Sequence, residues 1–348
     1  MKKSNETSAS TAHVFSTLPA RVSMKAAVYR RYGPPEVVTI EEMPRPTPGD
    51  NEVLIRVHAA TVTSADARLR SARVPPGFTL LVRLAFGISG PRKRVLGTEA
   101  AGVVEAVGRS VSRFEIGDKV FAMSGANLGC HAEYVTLREG GAMAAMPDNV
   151  SFQEAAALAF GGTTALFFLR DNARIQPGER VLVNGASGAV GSAAVQLASH
   201  FGADVTAVCS AANASWVRAL GARHVIDYAK EDFTRSPDTF DIVLDAVGNC
   251  SFTRCKPVLA PGGRLLLVVA GLGQTVSALL WSSRGGRKVM SGVTPERAED
   301  LLFLSALAAS GTFKPVIEHA YPFEQIVDAY ARVDSQRKKG NVVLTIAC

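Results

Sequence analysis

The sequence predicts an α/β protein in which a small, partly open β-barrel domain precedes a doubly wound parallel sheet. Two patterns support this fold class. Short strand-like segments separated by Gly/Pro turns dominate residues 24–149, and strands alternate with helices from Glu179 onward. The chain has 348 residues, which exceeds the size at which one hydrophobic core usually keeps growing. We therefore expect two domains.

The first domain is expected to comprise residues 24–149, completed by about residues 287–348, and the second to comprise residues 150–286. Residues 1–23 are rich in Ser, Thr and Ala and lack the apolar core of a secretory signal. We expect them to be a disordered N-terminal extension. A targeting segment and a start codon assigned too early are the alternatives.

Between residues 24 and 149, turn signals such as Gly33-Pro34-Pro35 and Gly117-Asp118 separate short apolar runs. The predicted strands are Lys25–Tyr29, Val37–Glu41, Glu52–Ala60, Gly102–Val107, Lys119–Met123 and Ala132–Leu137. Val74–Arg94 interrupts this series with a Pro pair, an apolar middle and a basic end, so we expect a flexible lid over an apolar pocket. Contact with a membrane surface is the alternative.

From residue 150 onward the pattern changes to alternating helices and strands. Ser151 and Glu154 have the spacing of a capping box, and Thr294-Pro295 is typical of a helix start. Further helices are predicted over Thr163–Arg170 and Ser192–Phe201. The predicted strands are Val181–Asn184, Val205–Cys209, His224–Ile226, Ile242–Asp245, Leu265–Val269 and a terminal strand, Asn341–Ile346, that could return to the β-rich domain.

The most informative stretch is Arg180–Cys209, a strand, a small-residue turn, a helix and a second strand within about thirty residues. Its turn, Ala186–Gly191, fits G-x-G-x-x-G with alanine at the first place. Small residues let the backbone approach a pyrophosphate, and the following helix N-terminus favours the negative charge. A dinucleotide site is predicted here, and a tight turn without a ligand is the alternative.

The composition of the chain bears on whether it binds nucleic acid, spans a membrane or forms disulfides. Hydrophobic residues make up 47% and the formal net charge is +7, which suits phosphate-bearing ligands but is equally typical of a generically basic surface. Basic stripes interleaved with aromatic residues are absent, so no nucleic-acid partner is expected. No run of eighteen apolar residues exists, so no membrane span is expected. The five scattered cysteines predict buried thiols in a reducing compartment, the cytoplasm.

Several ordered motifs together resemble one family. They are MKAAVYRRYGPPEVV from Met24, TVTSAD from Thr61, GTEAAGVVEAVG from Gly97, GDKVFA from Gly117, HAEYV from His131, GGTTAL from Gly161, the glycine turn, LGARHVIDY from Leu220 and PGGRLLLVV from Pro261. Over about Met24–Ile346 the chain resembles the medium-chain dehydrogenase/reductase superfamily, and within it the zinc-free quinone oxidoreductase (zeta-crystallin-like) branch. The resemblance implies a GroES-like catalytic domain, a Rossmann NADP-binding domain and a homodimer.

The resemblance also bears on the metal. Zinc-dependent alcohol dehydrogenases of the superfamily carry a cysteine at or beside the position of Ser64 and Gly-His-Glu where this chain has Gly97-Thr98-Glu99. A catalytic zinc needs three protein ligands, and Glu99 alone cannot hold the ion. We therefore expect no zinc.

The choice of cofactor depends on the end of the second strand of the Rossmann domain. An acid there would accept the ribose hydroxyls of NAD, but this chain has Ser210 and no carboxylate, which favours NADPH over NADH. Tyr228 matches a phosphate-side tyrosine of the quinone reductase branch. Arg218 could compensate for Ala212, which stands where relatives place a basic residue, or could merely cover the helix surface.

Further cofactor contacts are carried over from the resemblance. Thr163 would touch the nicotinamide end, or else be a buried helix-start threonine. The remaining predicted cofactor-binding residues surround the glycine turn or follow strands: Ala186, Ser187, Gly188, Ala189, Val190, Gly191, Val247, Gly248, Val269, Ala270, Gly271 and Asn341.

On the substrate side, Thr63 takes the place of a familiar asparagine, Asp66 matches the family acid and Arg68 replaces a tyrosine. Thr63 and Asp66 are therefore the catalytic candidates, although Asp66 could simply cap local structure. Without a Lewis acid, hydride transfer to a quinone or enone is favoured, and the expected partner is a small apolar carbonyl or quinone substrate. The alternatives are a zinc-free alcohol dehydrogenase and a non-catalytic NADPH-binding sensor or nucleic-acid-binding protein.

Overall fold

The computed structural model describes residues 23–281 and 286–346. The predicted extension lies outside the described residues except for Ser23, and so does Cys348. The elements up to residue 149 are β1 (Ser23–Tyr29), β2 (Val38–Pro44), β3 (Glu52–Thr61), α1 (Ser64–Ser71), α2 (Thr79–Phe86), β4 (Glu99–Val107), β5 (Lys119–Met123), β6 (Tyr134–Arg138) and β7 (Met143–Ala145).

The remaining elements alternate as the sequence predicts. They are α3 (Phe152–Leu166), β8 (Arg180–Asn184), α4 (Ala189–His200), β9 (Asp204–Cys209), α5 (Ala214–Ala219), β10 (His224–Asp227), β11 (Phe240–Asp245), α6 (Phe252–Cys255), β12 (Leu259–Leu267), α7 (Leu272–Trp281), β13 (Lys288–Ser291), α8 (Ala298–Ala309), β14 (Ile317–Pro322), α9 (Ile326–Asp334) and β15 (Asn341–Thr345).

The predicted fold class is confirmed by the sheet topology. A six-stranded, entirely parallel sheet has the order β10-β9-β8-β11-β12-β13. The direction of winding reverses between β8 and β11, and ligands of such sheets bind at the carboxyl ends of the strands at that point. The division into domains stays a prediction, and β13, which follows residue 286, pairs with β12 in this sheet.

The β-rich part forms a second, mixed sheet. Its order is β14-β15-β3-β4-β5-β7, and β6 pairs with the first half of β3, whose last residues pair with β15. β1 and β2 form a separate hairpin. β15 pairs antiparallel with β3, with Val343 opposite Thr61, so the predicted terminal strand does return to the β-rich part. The chain therefore crosses from one sheet to the other and back.

Helix α3 packs against both sheets. Its capping box is present as predicted, because Ser151 accepts from the Glu154 amide and Glu154 accepts from the Ser151 amide. Small residues such as Ala155 and Ala159 are fully buried in one cluster that also contains Val181 of the parallel sheet and Ala101 of the mixed sheet. The two sheets thus share one core.

Two predicted helix boundaries are wrong. Thr163–Arg170 is not a separate helix, because α3 continues without a break into a π-helical turn, Phe167–Asn172. Thr294-Pro295 does not open α8, which begins at Ala298 after Arg297. Phe152–Asn172 is the one stretch of the described chain that is long and apolar enough to cross a membrane, and 72% of its most apolar 18-residue window is buried inside the protein, as expected of a core helix.

Candidate active site

A single cleft of about 1530 Å³ lies between the carboxyl ends of the parallel strands and the α1 region of the β-rich part. One wall contains the turn after β8. The opposite wall contains Thr63, Ser64 and Arg68 at the start of α1. This volume exceeds the roughly 300–1,000 Å³ of a typical small-molecule pocket, which leaves room for a dinucleotide beside a second small molecule.

The turn after β8 fits a pyrophosphate. Ser187, Gly188, Ala189, Val190 and Gly191 line the cleft as predicted, and Gly188 precedes α4 without any side chain capping the helix. The first-turn amides of α4 are therefore available to an anion.

Two glycines make this turn possible. Gly185 has φ +81°, a conformation that favours glycine. A Cβ on Gly191 would lie 2.0 Å from the Gly185 carbonyl oxygen. Ala186 does not line the cleft as predicted: it is fully buried, and its amide donates to the Val208 carbonyl because the turn packs onto β9. The residue that needs positive φ is one position earlier than the motif suggests.

The C-terminal segment closes over this turn. The Gly340 amide donates to the Ser187 carbonyl at 2.8 Å, and Asn341 lines the cleft as predicted while its side-chain amide donates to the Val316 carbonyl. Lys338, which sequence reasoning missed, also lines the cleft, and its Nζ donates to the Gly340 carbonyl at 2.5 Å. Burial lowers the pKa of Lys338 to about 8. The loop before β15 thus brings a basic side chain to the cleft.

Asp245, at the end of β11, organises the loop at the winding reversal. Its buried carboxylate accepts from the amides of Val247, Gly248 and Cys250 and from the Asn184 side chain. Val247 lines the cleft as predicted, and Asn184 lines it unpredicted. Gly248 does not line it, because it lies behind Val247 against Val269.

The loop after β12 agrees with the prediction only in part. Val269 lines the cleft. Ala270 packs against a hydrophobic cluster beneath the sheet, and the Gly271 amide donates to the Gln274 side chain, so neither of these two predicted contacts faces the cleft.

Thr163, the predicted nicotinamide contact, does not line the cleft. Thr163 is 1% exposed and donates to the Ala159 carbonyl at 2.8 Å, one helical turn earlier. Thr164 lines the cleft instead. Successive helical residues point about 100° apart, so the rotation of α3 about its axis, which packing sets, decides which of the two faces the cleft.

Ser210 and Tyr228, the two residues predicted to lie near a cofactor phosphate, both line the cleft. Arg218 does not reach it and is exposed on α5. The structure adds an ion pair, Arg254 with Asp232, whose nitrogen and oxygen are 3.3 Å apart. Asp232 also accepts from the Thr234 amide and hydroxyl, so this carboxylate is already engaged within the protein.

Thr63 and Asp66 form a capping box at the start of α1. The Thr63 hydroxyl lies 2.6 Å from Asp66 Oδ2 and accepts from the Asp66 amide at 3.0 Å. Thr63 lines the cleft, whereas Asp66 is fully buried behind it, and burial raises the pKa of Asp66. Asp66 can therefore act on the cleft only through a lining side chain: Thr63, or Thr98, whose hydroxyl donates to Asp66 Oδ2 at 3.5 Å.

Other buried polar groups surround this pair. Glu99, fully buried, accepts from the Thr61 hydroxyl and the Phe160 amide, and burial raises its pKa to about 8. His131 contacts the Tyr330 hydroxyl at 3.2 Å, and burial lowers the pKa of this histidine. Within residues 23–281 and 286–346, no group of three or more His, Cys, Asp or Glu side chains is placed to hold a metal ion.

A Rossmann sheet and a GroES-like wall that share one cleft define a dinucleotide-binding oxidoreductase. The comparisons with known proteins agree. Family models match residues 49–148 (alcohol dehydrogenase GroES-like domain) and residues 220–344 (zinc-binding dehydrogenase). The chain is 31% identical to a 2-methylene-furan-3-one reductase of Solanum lycopersicum, over 99% of this chain and 84% of the relative.

Two further relatives are similar in sequence or structure. An NADPH-dependent alkenal/one oxidoreductase, chloroplastic, of Arabidopsis thaliana is 31% identical, over 92% of this chain and 79% of the relative. The quinone oxidoreductase structure from Coxiella burnetii superposes with a TM-score of 0.84 at 27% identity, covering 94% of this chain and 100% of that one. The chain belongs to the medium-chain dehydrogenase/reductase superfamily, in its quinone oxidoreductase branch.

Proposed function

We propose that the protein is a zinc-independent reductase that transfers hydride from NADPH to a quinone or to an α,β-unsaturated carbonyl compound. One observation carries the proposal: the turn that fits a pyrophosphate borders the same cleft as Thr63, whose hydroxyl is hydrogen-bonded to the buried Asp66. The names of the three relatives, which denote a quinone, an alkenal or enone and a methylene-furanone, share a conjugated carbonyl as substrate.

Two features support the cofactor and metal parts of the proposal. Ser210 stands at the end of β9, where an NAD-specific enzyme usually carries a carboxylate, and one relative is named as NADPH-dependent. Ser64 and Thr98 stand where a zinc-dependent relative needs thiolate and imidazole ligands, and neither side chain is a ligand that zinc favours.

Bound in this cleft, the reduced nicotinamide supplies the hydride. The chain's own contribution is to orient the substrate and to provide a proton. In the structure the Thr63 hydroxyl donates to Asp66 Oδ2 at 2.6 Å, and burial, which raises the pKa of Asp66, makes proton uptake by this carboxyl easier. Once the carboxyl holds a proton, this hydrogen bond would reverse, with Asp66 donating to the Thr63 oxygen. Because that oxygen also accepts from the Asp66 amide, its own hydrogen would then be free to donate to a carbonyl oxygen in the cleft. Thr63 would thus deliver the proton and Asp66 would position and replenish it.

The first test is NADPH oxidation against a panel of quinones and enones, with NADH alongside and metal analysis of the same sample. We expect turnover with NADPH and no stoichiometric zinc. Oxidation of simple alcohols in the presence of chelator would instead indicate an alcohol dehydrogenase, and cofactor binding without any turnover would indicate a binding protein. A clear preference for NADH would contradict the role of Ser210.

The second test separates catalysis from capping. Thr63→Ser keeps the hydroxyl, whereas Thr63→Val removes both the hydroxyl and the cap. We expect Thr63→Val to lower kcat by about a hundredfold, in the range of general acid catalysis, while NADPH affinity is retained. Equal kcat values in the two variants would contradict the proton relay. The predicted homodimer is tested separately by sedimentation equilibrium, and the predicted cytoplasmic location by imaging a tagged chain.

A further inference from the structure

Helix α2 presents an apolar face that the rest of the described chain leaves uncovered. None of its eight residues is buried. Leu80, Leu81 and Leu84 are 69%, 53% and 48% exposed, and Ile88 just beyond the helix is 61% exposed. Leucines at positions i, i+1 and i+4 share one side of a helix. A contiguous exposed patch of this kind is typical of an interaction surface.

The helix is nevertheless fixed to the protein at both ends. Phe86 packs against a hydrophobic cluster, and the Tyr32 hydroxyl donates to the Gly87 carbonyl at 2.8 Å. Before the helix, the Pro76 carbonyl accepts from the Leu272 amide at 2.9 Å. The exposed leucines are therefore held outward on an anchored helix.

The chain segment that contains this face carries charge of one sign. Residues 67–98 contain seven Lys and Arg and no Asp or Glu, so this segment alone accounts for a charge equal to the net +7 of the chain. Arg70 is buried against Asp334, and Arg68 is half-buried. The exposed basic residues of the segment are Arg73, Arg83, Arg92, Lys93 and Arg94. Within the described residues, none of these five forms an ion pair with a carboxylate.

We propose that α2 and the basic loop after it dock on the surface of an anionic phospholipid bilayer. Two interactions together hold an amphipathic helix on an anionic membrane: leucines enter the interface between headgroups and acyl chains, and cations without a carboxylate partner contact lipid phosphates. A protein partner would need carboxylates placed to match the individual cations. A membrane surface of uniform negative charge needs no such match, and it explains more simply why thirty-two consecutive residues contain no acid. Arg73 and Arg83 also line the cleft, so docking places the cleft mouth at the membrane.

The test is flotation of the full chain with vesicles of phosphatidylcholine alone or of phosphatidylcholine mixed equally with phosphatidylglycerol. We expect binding to the anionic vesicles that weakens as salt is raised. The double variant Leu81→Ser/Leu84→Ser should bind at least about tenfold more weakly. Ile116→Ser is the matched control, because Ile116 is also 69% exposed but lies between Glu115 and Asp118 in a different turn.

A pair of charge variants tests the electrostatic part. Arg94→Glu should weaken vesicle binding about fivefold or more, whereas Lys256→Glu, with the same change in net charge on the exposed surface near α6, should not. Failure of the unmodified chain to bind anionic vesicles, or equal binding by the leucine variant and its control, would overturn the proposal. The proposal would also be overturned if the unmodified chain formed an oligomer in the absence of lipid and the leucine variant did not. In that case a second copy of the chain would cover the helix. These measurements need no turnover, so they are independent of the proposed reductase activity.

Discussion

The glycine turn after β8 allows a sharp test with two alanine substitutions three residues apart. In Gly191→Ala, the new Cβ would lie 2.0 Å from the Gly185 carbonyl oxygen and 2.7 Å from its carbonyl carbon. Both atoms are backbone, so the turn itself must open. In Gly188→Ala the nearest atom is 3.6 Å away, an ordinary contact, and φ is −84°. The second variant is therefore a matched control within the same turn.

Overpacking of this kind costs about 1–3 kcal/mol, and a contact with rigid backbone belongs at the upper end of that range. With an unfolding entropy of roughly 2.1 cal/mol/K per residue, a cost of about 3 kcal/mol lowers the Tm of a chain of this length by about 4 °C. We expect Gly191→Ala to show this loss by calorimetry without cofactor, and to bind NADPH more weakly in titration calorimetry. Gly188→Ala should keep the wild-type Tm. Equal Tm values for the two variants would refute the reasoning from the turn geometry.

Three further predictions follow from the buried and half-buried charges. Asp245→Ala leaves four donors without their acceptor and should lower the free energy of unfolding in urea by at least about 3 kcal/mol, whereas an unchanged midpoint would show that the loop does not depend on this carboxylate. Lys338 has a pKa of about 8 in the free protein, so its charge and its attraction for an anionic cofactor are lost as pH rises through that value. NADPH affinity measured by fluorescence should therefore fall above pH ~8, and Lys338→Arg should abolish that fall because arginine stays charged. Asp334→Ala removes the carboxylate partner of the fully buried Arg70, which keeps the Gly33 carbonyl as an acceptor, and should cost about 1–3 kcal/mol in thermal unfolding, while Asp334→Glu, which keeps the charge, should recover most of it.

The sequence was most reliable where local chemistry decides the structure. The capping box of Ser151 and Glu154 forms as predicted, because its two hydrogen bonds involve only the first turn of the helix. The cofactor turn likewise follows from small residues between a strand and a helix. These features depend only on residues close together in the sequence, so they can be predicted without knowledge of the tertiary structure.

Features that depend on packing were missed. Thr164 rather than Thr163 faces the cleft because α3 is rotated by the two sheets that cover it. Lys338 and Arg70 resemble surface residues in sequence, and their burial comes from elements far away in the chain, such as α9 in the case of Arg70. No local pattern carries that information.

The hydrogen bond between the Gly340 amide and the Ser187 carbonyl has a kinetic consequence. It joins the loop before β15 to the cofactor turn, while β15 itself belongs to the mixed sheet. A hinge motion that widens the cleft must therefore break this bond or carry the two strands together. The rate at which a dinucleotide leaves would then depend on the segment between α9 and β15, which contains Gly340.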